Sequence, residues 1–86
     1  MKLVISSRAE KELKKLSKID QIAVAKKIRS LCLPPILNEE KLSGYKNIFR
    51  VRVGNFRIVY QRTSQEIFIV LIGHRKEIYK LLKQLF

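Results

Sequence analysis

Ile48-Phe49-Arg50-Val51-Arg52-Val53-Gly54-Asn55-Phe56-Arg57-Ile58-Val59-Tyr60-Gln61 is the stretch that decides the fold. Apolar and polar residues alternate on both sides of Gly54-Asn55, the period of a half-buried strand. Gly-Asn between two such runs suits a two-residue type II′ turn, with glycine supplying the positive φ. A loop of that length fixes the register. Val53 faces Phe56, Arg52 faces Arg57, Val51 faces Ile58, Arg50 faces Val59 and Phe49 faces Tyr60. Directly opposed residues share a sheet face. Phe49, Val51, Val53, Phe56, Ile58 and Tyr60 therefore form a core-facing set, and Arg50, Arg52, Arg57, Val59 and Gln61 form the other. Opposed like charges cost roughly a few tenths of a kcal/mol or more. One reading of Arg52 against Arg57, with Arg50 beside them, is a solvated polar face. The other is a face that meets a polyanion, whose phosphates accept bidentate guanidinium hydrogen bonds.

Outward from the hairpin, Ile67-Phe68-Ile69-Val70-Leu71-Ile72 is apolar on both faces, as a central strand covered on both sides is. Gly73-His74-Arg75-Lys76 breaks it. Ile78, Leu81, Leu82, Leu85 and Phe86 then mark an amphipathic terminal segment. Upstream, Ile36 to Lys46 reads as a polar connector, with turn-like Asn38-Glu39-Glu40 and Ser43-Gly44 and with Leu42 pinning it to the core. Lys2 to Ser6 is a short first strand. Ser7-Arg8-Ala9-Glu10 fits a capping box for a first helix, with Ala9, Leu13 and Leu16 inward. Ser17-Lys18-Ile19-Asp20 caps a second, with Ile22, Ala25, Ile28 and Cys32 as its inward stripe, and Pro34-Pro35 ends it. The expected fold is α+β: a small antiparallel sheet of about four strands, an N-terminal helical hairpin and a C-terminal helix, with the helices on one face. The hairpin arginines then lie on an open face.

The chain has 86 residues, the size of a single domain spanning residues 1–86, with a net charge of +12. Such a surface favours polyanions, nucleic acid first and an acidic protein second. Through Ser43 there are ten Lys/Arg against five Asp/Glu, and beyond it nine against two. The first part uses mainly lysine mixed with acids. The strand region uses Arg50, Arg52, Arg57, Arg62 and Arg75, a shift that suits phosphate contact. Cys32 is the single cysteine, so no intramolecular disulfide or cysteine-based metal site is expected. A buried thiol is expected there. No secretory leader, membrane span, metal or cofactor is expected, and the chain reads as cytoplasmic.

The chain resembles the RelE/ParE toxin superfamily. The likeness runs through Lys41-Leu42-Ser43-Gly44, Phe49 to Tyr60 and Gly73-His74-Arg75-Lys76-Glu77-Ile78-Tyr79, and takes in the helical hairpin. RelE-type members are metal-independent mRNA endonucleases that cut the message in the ribosomal A site and are neutralised by a cognate antitoxin. ParE-type members share the fold but inhibit DNA gyrase and lack the nuclease residues. The alternation of Arg50 with Arg52, the strand arginine Arg57, and the later Arg75 and Tyr79 resemble the RelE side. RelE itself has lysines where Arg50 and Arg52 stand, and a longer segment before its tyrosine.

The resemblance implies 2′-hydroxyl attack on the neighbouring phosphorus. That needs a base, stabilisation of the phosphorane and an acid for the leaving oxygen. Arg57 with Arg52 is the expected charge stabiliser, and Arg75 joins them. Tyr79 is expected to move a proton or stack on a base, and a cationic surround favours its phenolate. His74 is the only imidazole, a side chain suited to either proton role. Bland alternatives stand beside these: Tyr79 as core or antitoxin contact, His74 as a strand end. Arg50, Arg62, Lys46 and Lys76 are assigned to RNA binding. No glutamate is expected on the strands as a general base. A site of cations and a tyrosine is slow on free RNA and leans on the ribosome for alignment. The expected partners are the ribosome, mRNA and an antitoxin with an acidic C-terminal segment. A gyrase inhibitor and a non-enzymatic RNA-binding module are the alternatives.

Overall fold

A computed structural model describes residues 1–33, 36 and 38–85. The expected helix stop at Pro34-Pro35 and the role of Phe86 lie outside the described residues. The elements are β1 (Lys2–Ile5), α1 (Ser7–Lys15), α2 (Lys18–Ser30), β2 (Glu40–Lys41), β3 (Ile48–Val53), β4 (Phe56–Arg62), β5 (Glu66–His74) and α3 (Ile78–Leu85). They build one five-stranded sheet in the order β1-β5-β4-β3-β2. Its neighbours are antiparallel except β1, which pairs parallel to β5.

The β3–β4 register is the one read from the alternation, from Val53–Phe56 through Arg52–Arg57 to Phe49–Tyr60. Gly54 takes φ +58° at the turn, the left-handed conformation that a type II′ turn requires at its first position. β5 extends past the expected break through Gly73 to His74. Its pairing with β4 slips between Val59 and Tyr60. The bulge turns the adjacent Val70 and Leu71 into one cluster, while Ile69 and Ile72 serve the other.

Both sheet faces are covered. α1 and α2 close one side over Val51, Ile58, Tyr60, Ile67, Ile69 and Ile72. On the other side α3 sets Ile78 and Leu82 against Ile48, Val59, Val70 and Leu71. The expectation of helices on one face only is therefore corrected. Val59, placed among the arginines by its register, is buried at 1% exposure, and the arginines occupy only the uncovered remainder of their face. Gly73 makes the approach of α3 possible: a Cβ there meets Ile78 Cδ1 at 3.1 Å.

Two details of the helical pair differ from the sequence reading. The N-cap of α1 is Ser6, not Ser7; its Oγ accepts from the Ala9 N–H at 3.0 Å and donates to the Val70 carbonyl at 2.8 Å. Capping from Ser6 thus also satisfies a carbonyl at the bulge. Ser6→Ala removes both bonds, and the expected loss is about 1–2 kcal/mol. That is a fall in Tm of about 4–8 °C per kcal/mol, read by thermal denaturation. In α2 the buried stripe is Val24, Ile28 and Leu31, while Ile22 is 60% exposed. Gln21 sets this phase by donating to the Lys14 and Leu16 carbonyls, both at 3.1 Å. Cys32 is half-buried beside the same core.

Candidate functional site

The uncovered part of the β3–β4 face is a cluster of guanidinium groups. Arg52 and Arg57 are directly opposed. Arg52 Nε donates to the Gly54 carbonyl at 3.0 Å, which bends that side chain toward the turn. Arg50 lies with its guanidinium carbon 5.0 Å from the ring centroid of Tyr79, the exposed tyrosine at the start of α3. The Arg75 N–H donates to the Asn55 carbonyl at 3.0 Å. That bond ties the β5–α3 connection to the hairpin turn and brings a fourth positive charge into range.

Arg57 is the centre of this cluster. Its Nη1 is shielded from solvent and has no hydrogen-bond partner among the described residues. Its pKa is pushed below the ordinary arginine value, first by burial and then by the charges of Arg52, Arg50 and Arg75, with Glu40 acting the other way. The group nevertheless stays protonated at any physiological pH. A buried donor without an acceptor is costly, and a charged one more so. Such a cluster has the chemistry to accept an anion, whose oxygens take guanidinium hydrogen bonds and offset the mutual repulsion.

Beside these groups is a hollow of about 120 Å³ lined by Asn38, Glu40, Arg50, Arg52 and Arg57. Its size equals the liquid volume of about four waters, on the scale of a single phosphodiester. Glu40 stands at its wall. β2 pairs Glu40 with Arg50, and the Glu40 carboxylate accepts from Arg50 Nη2 at 2.6 Å and Nε at 3.2 Å. The sequence reading expected no glutamate on the strands as a general base; the fold places the Glu40 carboxylate on β2, in the lining of the same hollow as Arg57. The only sequence signal for it was a pair of acids, Glu39-Glu40, as the last ones before the arginine strands.

Of the residues singled out from sequence, the fold brings Arg50, Arg52, Arg57, Arg75 and Tyr79 to one place. It does not bring His74 there. His74 pairs with Phe56 and meets that ring edge-on, centroids 6.0 Å apart, on the face opposite Arg57. Arg62 is also on the opposite face. Its Nη1 donates to Glu39 at 2.5 Å, and its guanidinium carbon lies 4.2 Å from the Phe49 ring centroid. Glu39 also accepts from the Tyr60 hydroxyl. Burial, that hydrogen bond and the Glu39 charge all push the Tyr60 phenol pKa up, so Tyr60 is a permanent donor. Lys46 and Lys76 are exposed in the β2–β3 and β5–α3 connections.

A larger hollow of about 330 Å³ lies along α1 and α2, lined by Leu13, Lys14, Lys18, Gln21, Ile22, Ala25 and Arg29. It has an apolar floor and a cationic rim, and no acid or imidazole lines it. Among the described residues no three His, Cys, Asp or Glu side chains gather as a metal site, and no helix is long and apolar enough to cross a membrane.

Comparison with known proteins gives a consistent picture. A family profile described as ParE toxin of type II toxin-antitoxin system, parDE, matches residues 3–79. A RelE-like toxin protein of Escherichia coli is 33% identical over 79 residues, 85% of this chain and 83% of the relative. The isolated E. coli RelE toxin is similar in structure over 99% of this chain and 98% of its own, with TM-score 0.71 and 27% identity. A chain of the intact E. coli RelBE toxin-antitoxin complex is similar over 85% of this chain and 94% of its own, with TM-score 0.69 and 28% identity.

Proposed function

This chain belongs to the RelE/ParE family of type II toxin–antitoxin toxins, and we propose that it is a metal-independent endoribonuclease that cuts mRNA in the ribosomal A site. The observation that carries this reading is the gathering of Arg50, Arg52 and Arg57 with the Glu40 carboxylate around one small hollow, with Arg57 held among like charges. The scissile phosphate occupies the hollow, where Arg57 and Arg52 neutralise the charge that grows on its equatorial oxygens. Glu40 takes the proton from the 2′-hydroxyl, the 2′-oxygen bonds to phosphorus, and the bond from phosphorus to the 5′-oxygen breaks. Tyr79 gives the departing 5′-oxygen its proton. The products are a 2′,3′-cyclic phosphate and a 5′-hydroxyl.

The role of the ribosome follows from what the hollow lacks. In this reading the hollow takes one phosphate, and its described lining, Asn38, Glu40, Arg50, Arg52 and Arg57, offers no aromatic ring to hold a flanking base. In-line alignment must come from outside, and codon and anticodon held in the A site supply it. Cleavage of protein-free RNA at the ribosomal rate would contradict this. Arg50, Arg52, Arg57 and Arg75 make contact with phosphates in this reading. Ribosome affinity should then fall with salt at a log–log slope of about −3, from about −0.7 per phosphate neutralised. A filter-binding titration from 50 to 200 mM salt, over which that slope costs about 50-fold in affinity, checks it.

Structural relatives solved as RelBE complexes support an antitoxin partner. The cation-rimmed groove along α1 and α2 suits an acidic segment with apolar side chains, bound with a clear salt dependence. The matching family profile carries the ParE name, so gyrase inhibition is the second reading. The two separate in one pair of assays. Nuclease action predicts message cleavage on programmed ribosomes with gyrase supercoiling unaffected; gyrase inhibition predicts the reverse.

A further inference from the structure

Glu39 and Glu40 are adjacent and chemically identical, yet they serve opposite faces of the sheet. Glu40 meets Arg50 at the hollow. Glu39 meets Tyr60 and Arg62 on the other side. The strand that carries Glu40 is weak on its own. It makes the Glu40–Arg50 and Lys41–Phe49 pairings, extended by the Leu42 N–H to the Ile48 carbonyl at 2.9 Å. A strand this short at a sheet edge does not hold its register through backbone pairing alone. A slip of one residue would exchange the two acids, placing Glu39 over the arginines and Glu40 toward the core.

Glu39 breaks that degeneracy. Its side chain is 15% exposed, against 65% for Glu40. Its carboxylate accepts from the hydroxyl of Tyr60, which is fully buried in the core, and from Arg62 at 2.5 Å. Arg62 is fixed in turn by the Phe49 ring. With the Glu39 carboxylate largely shielded, these charge-assisted bonds are strong and directional. Asn38, in the left-handed region at φ 61°, turns the chain into this position. We propose that Glu39 is a positioning residue: its clasp on Tyr60 and Arg62 locks the register of β2 and so holds Glu40 across the hollow from Arg57. Arg62 thereby acts as half of a clasp on the face away from the arginine hollow. The consequence for cleavage rests on the nuclease reading above, whereas the register lock does not.

The test combines amide hydrogen exchange at Leu42 with single-turnover cleavage on programmed ribosomes, for the full chain and for Glu39→Ala, Glu39→Gln and Glu40→Gln. Glu39→Gln retains an acceptor for Tyr60 and keeps the test open if Glu39→Ala does not fold. The clasp predicts exchange at Leu42 faster by about tenfold or more in the Glu39 variants. It also predicts that they lose about tenfold or more in maximal cleavage rate, with half-saturation changed by less than about threefold. Glu40→Gln should cut cleavage by about 10²–10⁴ and leave exchange at Leu42 unchanged. Unchanged exchange in the Glu39 variants would overturn the register lock. Faster exchange with undiminished cleavage would overturn the positioning role. If the unaltered protein cuts nothing on ribosomes, the nuclease reading fails, and the exchange result alone decides whether the clasp holds the strand.

Discussion

Arg57→Met is expected to cut cleavage by roughly 10²–10³ while leaving the protein as stable as before, or more so. Methionine keeps much of the side-chain stem that packs beside Gly73, the partner of Arg57 across β4 and β5. It removes the guanidinium whose Nη1 has no acceptor among the described residues and whose charge is opposed by Arg52, Arg50 and Arg75. Relief of an unpaired buried donor and of like-charge contacts is favourable by about 1 kcal/mol. The lost stem-to-donor contacts offset part of it. For a chain of this length Tm should therefore stay level or rise by up to about 4–8 °C. Cleavage should fall by roughly 10²–10³, the usual effect of deleting a donor aimed at developing oxyanion charge. Opposite signs for stability and activity are the signature of a group retained for chemistry. A residue kept for the fold would lose both together, and thermal melts beside single-turnover rates distinguish the cases.

Glu40→Gln should have an effect of comparable size. The glutamine is nearly isosteric and still accepts from Arg50, but it cannot take a proton. Loss of a general base costs about 10²–10⁴ in rate. The stability change should be small, below about 1 kcal/mol, because the acid of this ion pair is mostly solvated. Ribosome affinity should hold or increase, since a negative charge leaves a phosphate-binding surface. If rate and affinity fell together, Glu40 would be a structural partner of Arg50 and the proton would go elsewhere. Single-turnover rates at saturating and limiting ribosome concentrations distinguish these outcomes.

The parts of the fold legible in the sequence are those fixed by short-range pattern. Period-two alternation around Gly54-Asn55 is enough to pair Arg52 with Arg57 and to sort the hairpin into two faces. The doubly apolar run from Ile67 to Ile72 likewise announces a central strand. What was not legible depends on contacts distant in sequence. β2 is two residues long and shows no alternation of its own; only its pairing with β3 makes Glu40 a sheet residue. α2 is apolar on more than one side, so periodicity alone admits a stripe through Ile22 as well as the buried one through Val24. Gln21, bonded to the end of α1, chooses between them. Ser6 and Ser7 are equivalent as caps until the Val70 carbonyl selects Ser6. His74 looked adjacent to the arginines because the strand was expected to stop at Gly73. Two more residues of β5 turn its ring to Phe56. An apolar Val59 in the polar face set was the available hint that something covers the arginine face, and α3 is that cover.

The arginine cluster at Arg50, Arg52, Arg57 and Arg75 is thus a site that the core forces into being without stabilising it. Its charges repel, its central donor is bare, and the carboxylate beside it is delivered by the weakest strand of the sheet. Those costs make sense when a phosphate completes the hollow. The most direct measurement is mapping of mRNA 5′ ends on ribosomes programmed with a defined A-site codon, with the unaltered protein and with Arg57→Met. New ends within the A-site codon, bearing a 5′-hydroxyl and absent both with Arg57→Met and without ribosomes, are the predicted result. No new ends from folded protein that still arrests growth would contradict the nuclease account and leave the arginine face as a binding surface.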